Sequence, residues 1–273
     1  MLLRIFLAPL LILLLTSAAS AADDFCFQCH QTHEGTGNTF KKDIHRAHEL
    51  SCSDCHGGDA SINNMNKSKA ADKGFRPRPS RDQIPLFCAG CHSNAKFMAT
   101  YDPNLPTNQY ALYARSVHSQ KPAAGKAPAA ECIDCHGIHD IQAPSDPESK
   151  TNPKNINATC GSCHKEILDS LSTSPHDPDT NITCITCHGS HSTQKASAAL
   201  LDPKTGSCAR CHMPTSSGAQ AAAQIAKILD DLDNAGESSK AALAKAKVVA
   251  HSFNPATIQS AITAATRPAA SPP

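Results

Sequence analysis

Seven times along the chain, two cysteines separated by two residues are followed at once by histidine: Cys26-Cys29-His30, Cys52-Cys55-His56, Cys88-Cys91-His92, Cys132-Cys135-His136, Cys160-Cys163-His164, Cys184-Cys187-His188 and Cys208-Cys211-His212. These motifs use all 14 cysteines. A disulfide framework or a set of zinc sites also uses paired cysteines, but neither explains a histidine directly after every second one. CxxCH is the attachment signature of c-type haem, whose vinyl groups bond to the two thiols while the adjacent imidazole takes the iron from the proximal side. The pattern therefore predicts seven c-type haems, held by the 14 cysteines and by seven proximal histidines.

Seven six-coordinate irons need seven more ligands, and eight histidines remain: His33, His45, His48, His118, His139, His176, His191 and His251. His33, His139 and His191 each lie three residues after a proximal histidine. Such a neighbour projects from the same side as the proximal ring, so it must serve a different haem. His118 and His176 occupy equivalent places in an imperfect repeat, CxxCH, spacer, S-x-H, spacer, CxxCHGxH, which runs from Cys88 to His139 and again from Cys160 to His191. His45 and His48 take the corresponding part before Cys52 in a degenerate first unit. These seven are the expected distal ligands, and His251 is the expected surplus, complementing a helix C-terminus or folding back onto a haem. Met65, Met98 and Met213 are read as packing or surface residues. Bis-histidine ligation points to low reduction potentials, since methionine is the ligand that raises them.

Porphyrins also resolve a deficit in composition. There is no Trp and there are only three Tyr in 273 residues, so the haems must fill much of the interior. Successive motifs begin 24 to 44 residues apart, and Pro103, Pro144, Pro153 and Pro178 stand beside Asn, Ser or Asp. The expected fold is mainly α with extensive coil, templated by haem. The basic run Lys67, Lys69, Lys73, Arg76, Arg78 and Arg81 has two readings, a solvated loop or a surface that pairs with haem propionates or an acidic partner. Beyond the haem region, Ile225, Ile228, Leu229 and Leu232 recur at helical spacing up to a stop at Gly236. A second helix from Ser239 to His251 completes a helical hairpin, and Asn254-Pro255 opens a third short helix carrying Ile258 and Ile262.

The N-terminus carries Arg4, an apolar run from Ile5 to Leu15 and an Ala19-Ser20-Ala21 cleavage site, the pattern of a secretory signal peptide. A retained anchor is the competing reading, but the run is short for a bilayer. The expected organisation is 1–21 signal peptide, 22–213 heptahaem domain, 214–266 helical segment and 267–273 disordered tail. Lys and Arg number 25 against 24 Asp and Glu, and loss of Arg4 with the leader equalises them, so no electrostatic pull toward nucleic acid is expected. No stable membrane insertion is expected either.

The CxxCH units with their S-x-H and CHGxH histidines, together with Tyr101-Asp102-Pro103-Asn104-Leu105-Pro106, make Cys26 to His212 resemble periplasmic multihaem cytochromes c of the class III and doubled-CxxCH type. The resemblance implies periplasmic electron transfer, not enzymatic turnover, between a redox protein donor, such as an inner-membrane quinol-oxidising system, and periplasmic or outer-membrane acceptors. Two other readings stay open. A nitrite- or hydroxylamine-type reductase needs an open iron site, yet none of the seven motifs is altered. A fixed subunit of a larger redox complex is suggested by the C-terminal helices.

Overall fold

The computed structural model describes residues 25–32, 36–120, 129–177, 181–195 and 197–266. The expected signal peptide, His33 and the expected 267–273 tail lie outside them. Among the described residues there are helices, turns and coil and no strand. Up to Met213 the longest helix, Ile84–His92, has 9 residues. A helix that short does not hold itself together in water.

Local capping starts and stops the motif helices. Cys52–His56, Cys132–His136 and Cys184–His188 each begin at a capping box, made by Ser51 with Asp54, Glu131 with Asp134 and Thr183 with Thr186. Gly137 (φ 92°, ψ 179°) and Gly189 (φ 77°, ψ 167°) terminate the latter two in a backbone region that is essentially reserved for glycine. That reversal throws the histidine of CHGxH toward the proximal histidine of another motif, His139 toward His56 and His191 toward His136.

Motif helices pack in consecutive pairs: Phe25–His30 on Cys52–His56, Ile84–His92 on Cys132–His136, and Ile156–Gly161 on Cys184–His188. Asn157 ties the last pair, accepting the Cys184 N–H at 2.9 Å and donating to the Ile182 carbonyl at 3.2 Å. Longer links join one unit to the next. The Ile44 N–H donates to the Ile141 carbonyl at 2.7 Å, and the Val117 N–H donates to the Thr193 carbonyl at 3.0 Å. In both cases the residue before a distal-histidine candidate is bonded two residues beyond a CHGxH histidine, so the two imidazoles enter the same layer.

The basic run is exposed except at Lys69, which is half-buried, yet three of its side chains find partners within the chain. Arg76 donates to the Cys55 carbonyl at 2.7 Å and lies 5.2 Å from the Phe87 ring centre. Arg81 pairs with Asp134 at 2.6 Å, and Lys73 with Asp59 at 3.3 Å. The segment straps the second and fourth motifs together because each motif presents it with a carbonyl or carboxylate.

The cluster of mutually packed buried apolar side chains lies at the C-terminus, where Ile225, Leu229, Ala246 and Ile258 are at most 5% exposed. It joins three helices, Ser217–Asn234, Lys240–Val249 and Pro255–Thr266. The first ends just before Gly236, at φ 67°, as the sequence led one to expect. The third is longer than expected, at 12 residues, and packs along the second, so the hairpin is extended into a three-helix unit.

Candidate haem-binding site

A continuous cavity of about 2450 Å³ runs through the chain, lined by motif residues from Cys26 to Cys208. Ordinary small-ligand pockets are about 300–1,000 Å³. None of the fourteen cysteines is joined in a disulfide.

Among the described residues, six proximal imidazoles stand opposite a second imidazole. The ring centroids are 5.9 Å apart for His92 and His45, 6.2 Å for His56 and His139, and 6.3 Å for His164 and His118. They are 6.0 Å apart for His136 and His191, 5.7 Å for His212 and His176, and 5.9 Å for His188 and His251. With metal–nitrogen bonds of about 2 Å and about 1 Å from nitrogen to ring centre, two axial imidazoles on one iron sit about 6 Å apart. The Nε2 atoms of His212 and His176 face each other at 3.5 Å, close to two such bonds end to end. These residues fit axially ligated haem.

A rule runs through the pairs. The S-x-H type histidine ahead of an even-numbered motif faces the odd motif after it, as His118 faces His164 and His176 faces His212. The CHGxH histidine reaches back two motifs, as His139 does to His56 and His191 to His136. No eighth motif follows to serve His188, and His251 stands in that place. His251, the expected surplus, thus faces a proximal ring as the other paired histidines do. It directs Nδ1 at the Lys247 and Val248 carbonyls, 3.1 and 3.2 Å away, leaving Nε2 for the cavity. His188 and His56 likewise bond through Nδ1, to the Gln194 and Arg76 carbonyls, each at 3.2 Å. Such outer-shell bonds fix the tautomer of a ligating imidazole. His48 instead packs edge-on against Tyr101 at 5.6 Å.

Electrostatics favour neutral rings. Burial pushes His92, His118, His136, His139, His176 and His251 below the ordinary imidazole pKa, and the facing imidazole adds to the shift in each. Neutral imidazole is the form that binds metal.

The serine of S-x-H has a definite task. Ser116 and Ser174, 1% and 6% exposed, accept the backbone N–H of His118 and His176 at 3.1 and 3.0 Å. Asp43 is the counterpart in the first unit, a D-x-H that the sequence reading passed over. Its carboxylate accepts the His45 backbone N–H at 2.9 Å, the His45 Nδ1–H at 2.8 Å and the Ile141 N–H at 2.8 Å. Burial pushes this carboxyl up, but the bonds from His45 and Ile141 outweigh it and hold the pKa below its usual value. Asp43→Ala, which strands these donors, is expected to cost about 2–4 kcal/mol by the usual strength of bonds to charged groups. Denaturation of the holoprotein checks this, and a change under about 0.5 kcal/mol would contradict the role.

The motifs neighbour one another in chain order. The Cys88 thiol lies beside that of Cys132, and the Cys160 thiol beside that of Cys184. Cys55 likewise lies near Cys91, Cys135 near Cys160, and Cys187 near Cys208, and burial pushes each of the three thiols up. Ser207 donates to the Cys187 carbonyl at 2.6 Å. Met98 is buried in the cavity wall, whereas Met65 and Met213 are 68% and 72% exposed.

Residues 44–165, spanning the second to fifth motifs, match the family model described as Cytochrome c3. No curated protein and no solved structure matches the chain.

Proposed function

We propose that this chain, a multihaem cytochrome c and hence an electron-transfer protein, carries seven covalent haems in sequence order and relays electrons along them at low potential. The observation that carries this reading is the repeated opposition of a proximal ring by a second imidazole at 5.7–6.3 Å. When bound, the haems supply one-electron chemistry, each iron cycling between ferric and ferrous. The chain does the rest. Its thiols would hold each haem, its paired imidazoles would ligate the iron from two sides, and its buried capping residues orient the rings that face the proximal histidines. Packing in sequence order leaves the first and seventh motifs as the ends of the array.

The expected setting is the periplasm, reached by a cleaved leader, with an inner-membrane quinol-oxidising system as donor and a periplasmic or outer-membrane redox protein as acceptor. No helix of the described residues is long and apolar enough to cross a membrane. The C-terminal helices, which motivate the reading of a fixed complex subunit, also place His251 opposite His188.

Intact mass is expected to give seven haems per chain, and a reductive titration with low-temperature spin-state spectra to give low-spin irons at potentials below those of histidine–methionine cytochromes. Fewer than seven redox-active haems, or mainly high-spin iron with turnover of nitrite or hydroxylamine, would favour a reductase instead.

A further inference from the structure

Among the described residues, an amine approaches the proximal ring of the first motif. Lys69 Nζ lies 3.4 Å from His30 Nε2. That is the nitrogen left for iron where Nδ1 is bonded to a carbonyl, as in His56 and His188. The separation matches the 3.5 Å between the facing Nε2 atoms of His212 and His176. The amine thus stands where distal imidazoles stand in the rest of the chain.

The backbone around Lys69 is built to hold it there. Lys69 caps the helix Met65–Ser68, which starts from an Asn64 side chain that accepts the Lys67 N–H at 3.1 Å. The Ser68 carbonyl accepts the Asp59 N–H at 2.9 Å, and the Lys73 carbonyl accepts the Gly58 N–H at 3.1 Å, so both flanks are tied to the chain just after the second motif. Lys69 Nζ is 5.6 Å from the Phe75 ring centre, and Lys69, Phe75, Cys26 and His30 line the same cavity. His48, the other histidine candidate described near this end of the chain, is packed against Tyr101.

We propose that the Lys69 amine is the distal ligand of the haem held by Cys26, Cys29 and His30, resting on the reading above that this motif binds haem. Coordination takes the neutral amine: Nζ releases one proton to solvent and gives its lone pair to iron, with no change in oxidation state. One end of the array then carries a histidine–lysine haem, distinct in ligand field from its bis-histidine neighbours.

The test uses ferric holoprotein, low-temperature electron paramagnetic resonance with near-infrared magnetic circular dichroism, and intact and peptide mass. The wild type is expected to show an amine–imidazole low-spin signature for about one-seventh of its haem. Lys69→Ala should remove that signature and turn the same fraction high-spin; Lys69→His should return it to low spin with a bis-imidazole signature; His48→Ala should leave it unchanged. Lysine ligation is overturned if the wild type lacks the signature, which needs no variant to fold, if Lys69→Ala leaves the spectrum unaltered, or if His48→Ala creates the high-spin haem. In these cases seven haems by mass leave the carrier reading standing. An unmodified peptide containing Cys26 and Cys29 overturns both.

Discussion

Chain produced without haem attachment is expected to lose ordered structure from Phe25 to His212. The motif helices there have at most 9 residues, below the ~12–15 at which an isolated helix is even marginal. Their buried apolar side chains, such as Phe27, Ile84, Met98 and Ile156, are spread through that region, whereas the mutually packed cluster of Ile225, Leu229, Ala246 and Ile258 belongs to the C-terminal helices. The wall of the cavity is made of motif residues, so removing the porphyrins exposes the surface that would otherwise be interior. Hydrogen exchange on unhaemed protein should show essentially no slow amides in the motif helices, with any residual protection confined to Ser217–Thr266. Native-like protection around Cys88 or Cys160 without haem would show that side chains alone suffice to build the fold.

The second large effect concerns His251. Replacing it by alanine is expected to leave the haem of Cys184, Cys187 and His188 five-coordinate, so that about one-seventh of the iron becomes high-spin while all seven haems remain attached. His251→Met should instead keep it low-spin and raise its potential by on the order of 0.1 V, a fraction of the ~0.8 V that axial ligands span. Ending the chain after Met213 should reproduce the alanine phenotype, because the three helices exist to bring this ring 5.9 Å from His188. Their cluster positions the turn Ala250–Ser252, and Phe253, at φ 53°, then sets its ring edge-on 4.7 Å from His176. An unchanged spin state in both variants would reduce the C-terminal unit to packing.

Much of the site is local and therefore legible in residues alone. Attachment cysteines, proximal histidines and the outward throw of CHGxH depend on contacts within five residues, where stereochemistry acts directly. S-x-H was visible as a repeat, but its reason, a buried hydroxyl accepting the histidine N–H, was not. Asp43 escaped because a carboxylate performs the serine's task there, and pattern matching sees letters where the backbone sees an acceptor. The basic run from Lys67 to Arg81 was ambiguous for a different reason. Its partners, Cys55, Asp59 and Asp134, lie 14 to 53 residues away, and composition carries no information about them.

By itself, the sequence determined where haem attachment is expected, which histidine is the proximal candidate at each motif, that few aromatic side chains are available for a core, and that CHGxH histidines should face another motif. Each of these follows from covalent spacing and local geometry. Only the tertiary structure decided which ring faces which, that His251 is engaged while His48 lies against Tyr101, and that Lys69 reaches His30. Those pairings join residues 36 to 83 positions apart in the cases of His176 with His212 and His56 with His139, and 39 apart for Lys69 with His30. They depend on backbone bonds between distant loops, such as Ile44 to Ile141 and Val117 to Thr193, and no local periodicity encodes a bond of that range.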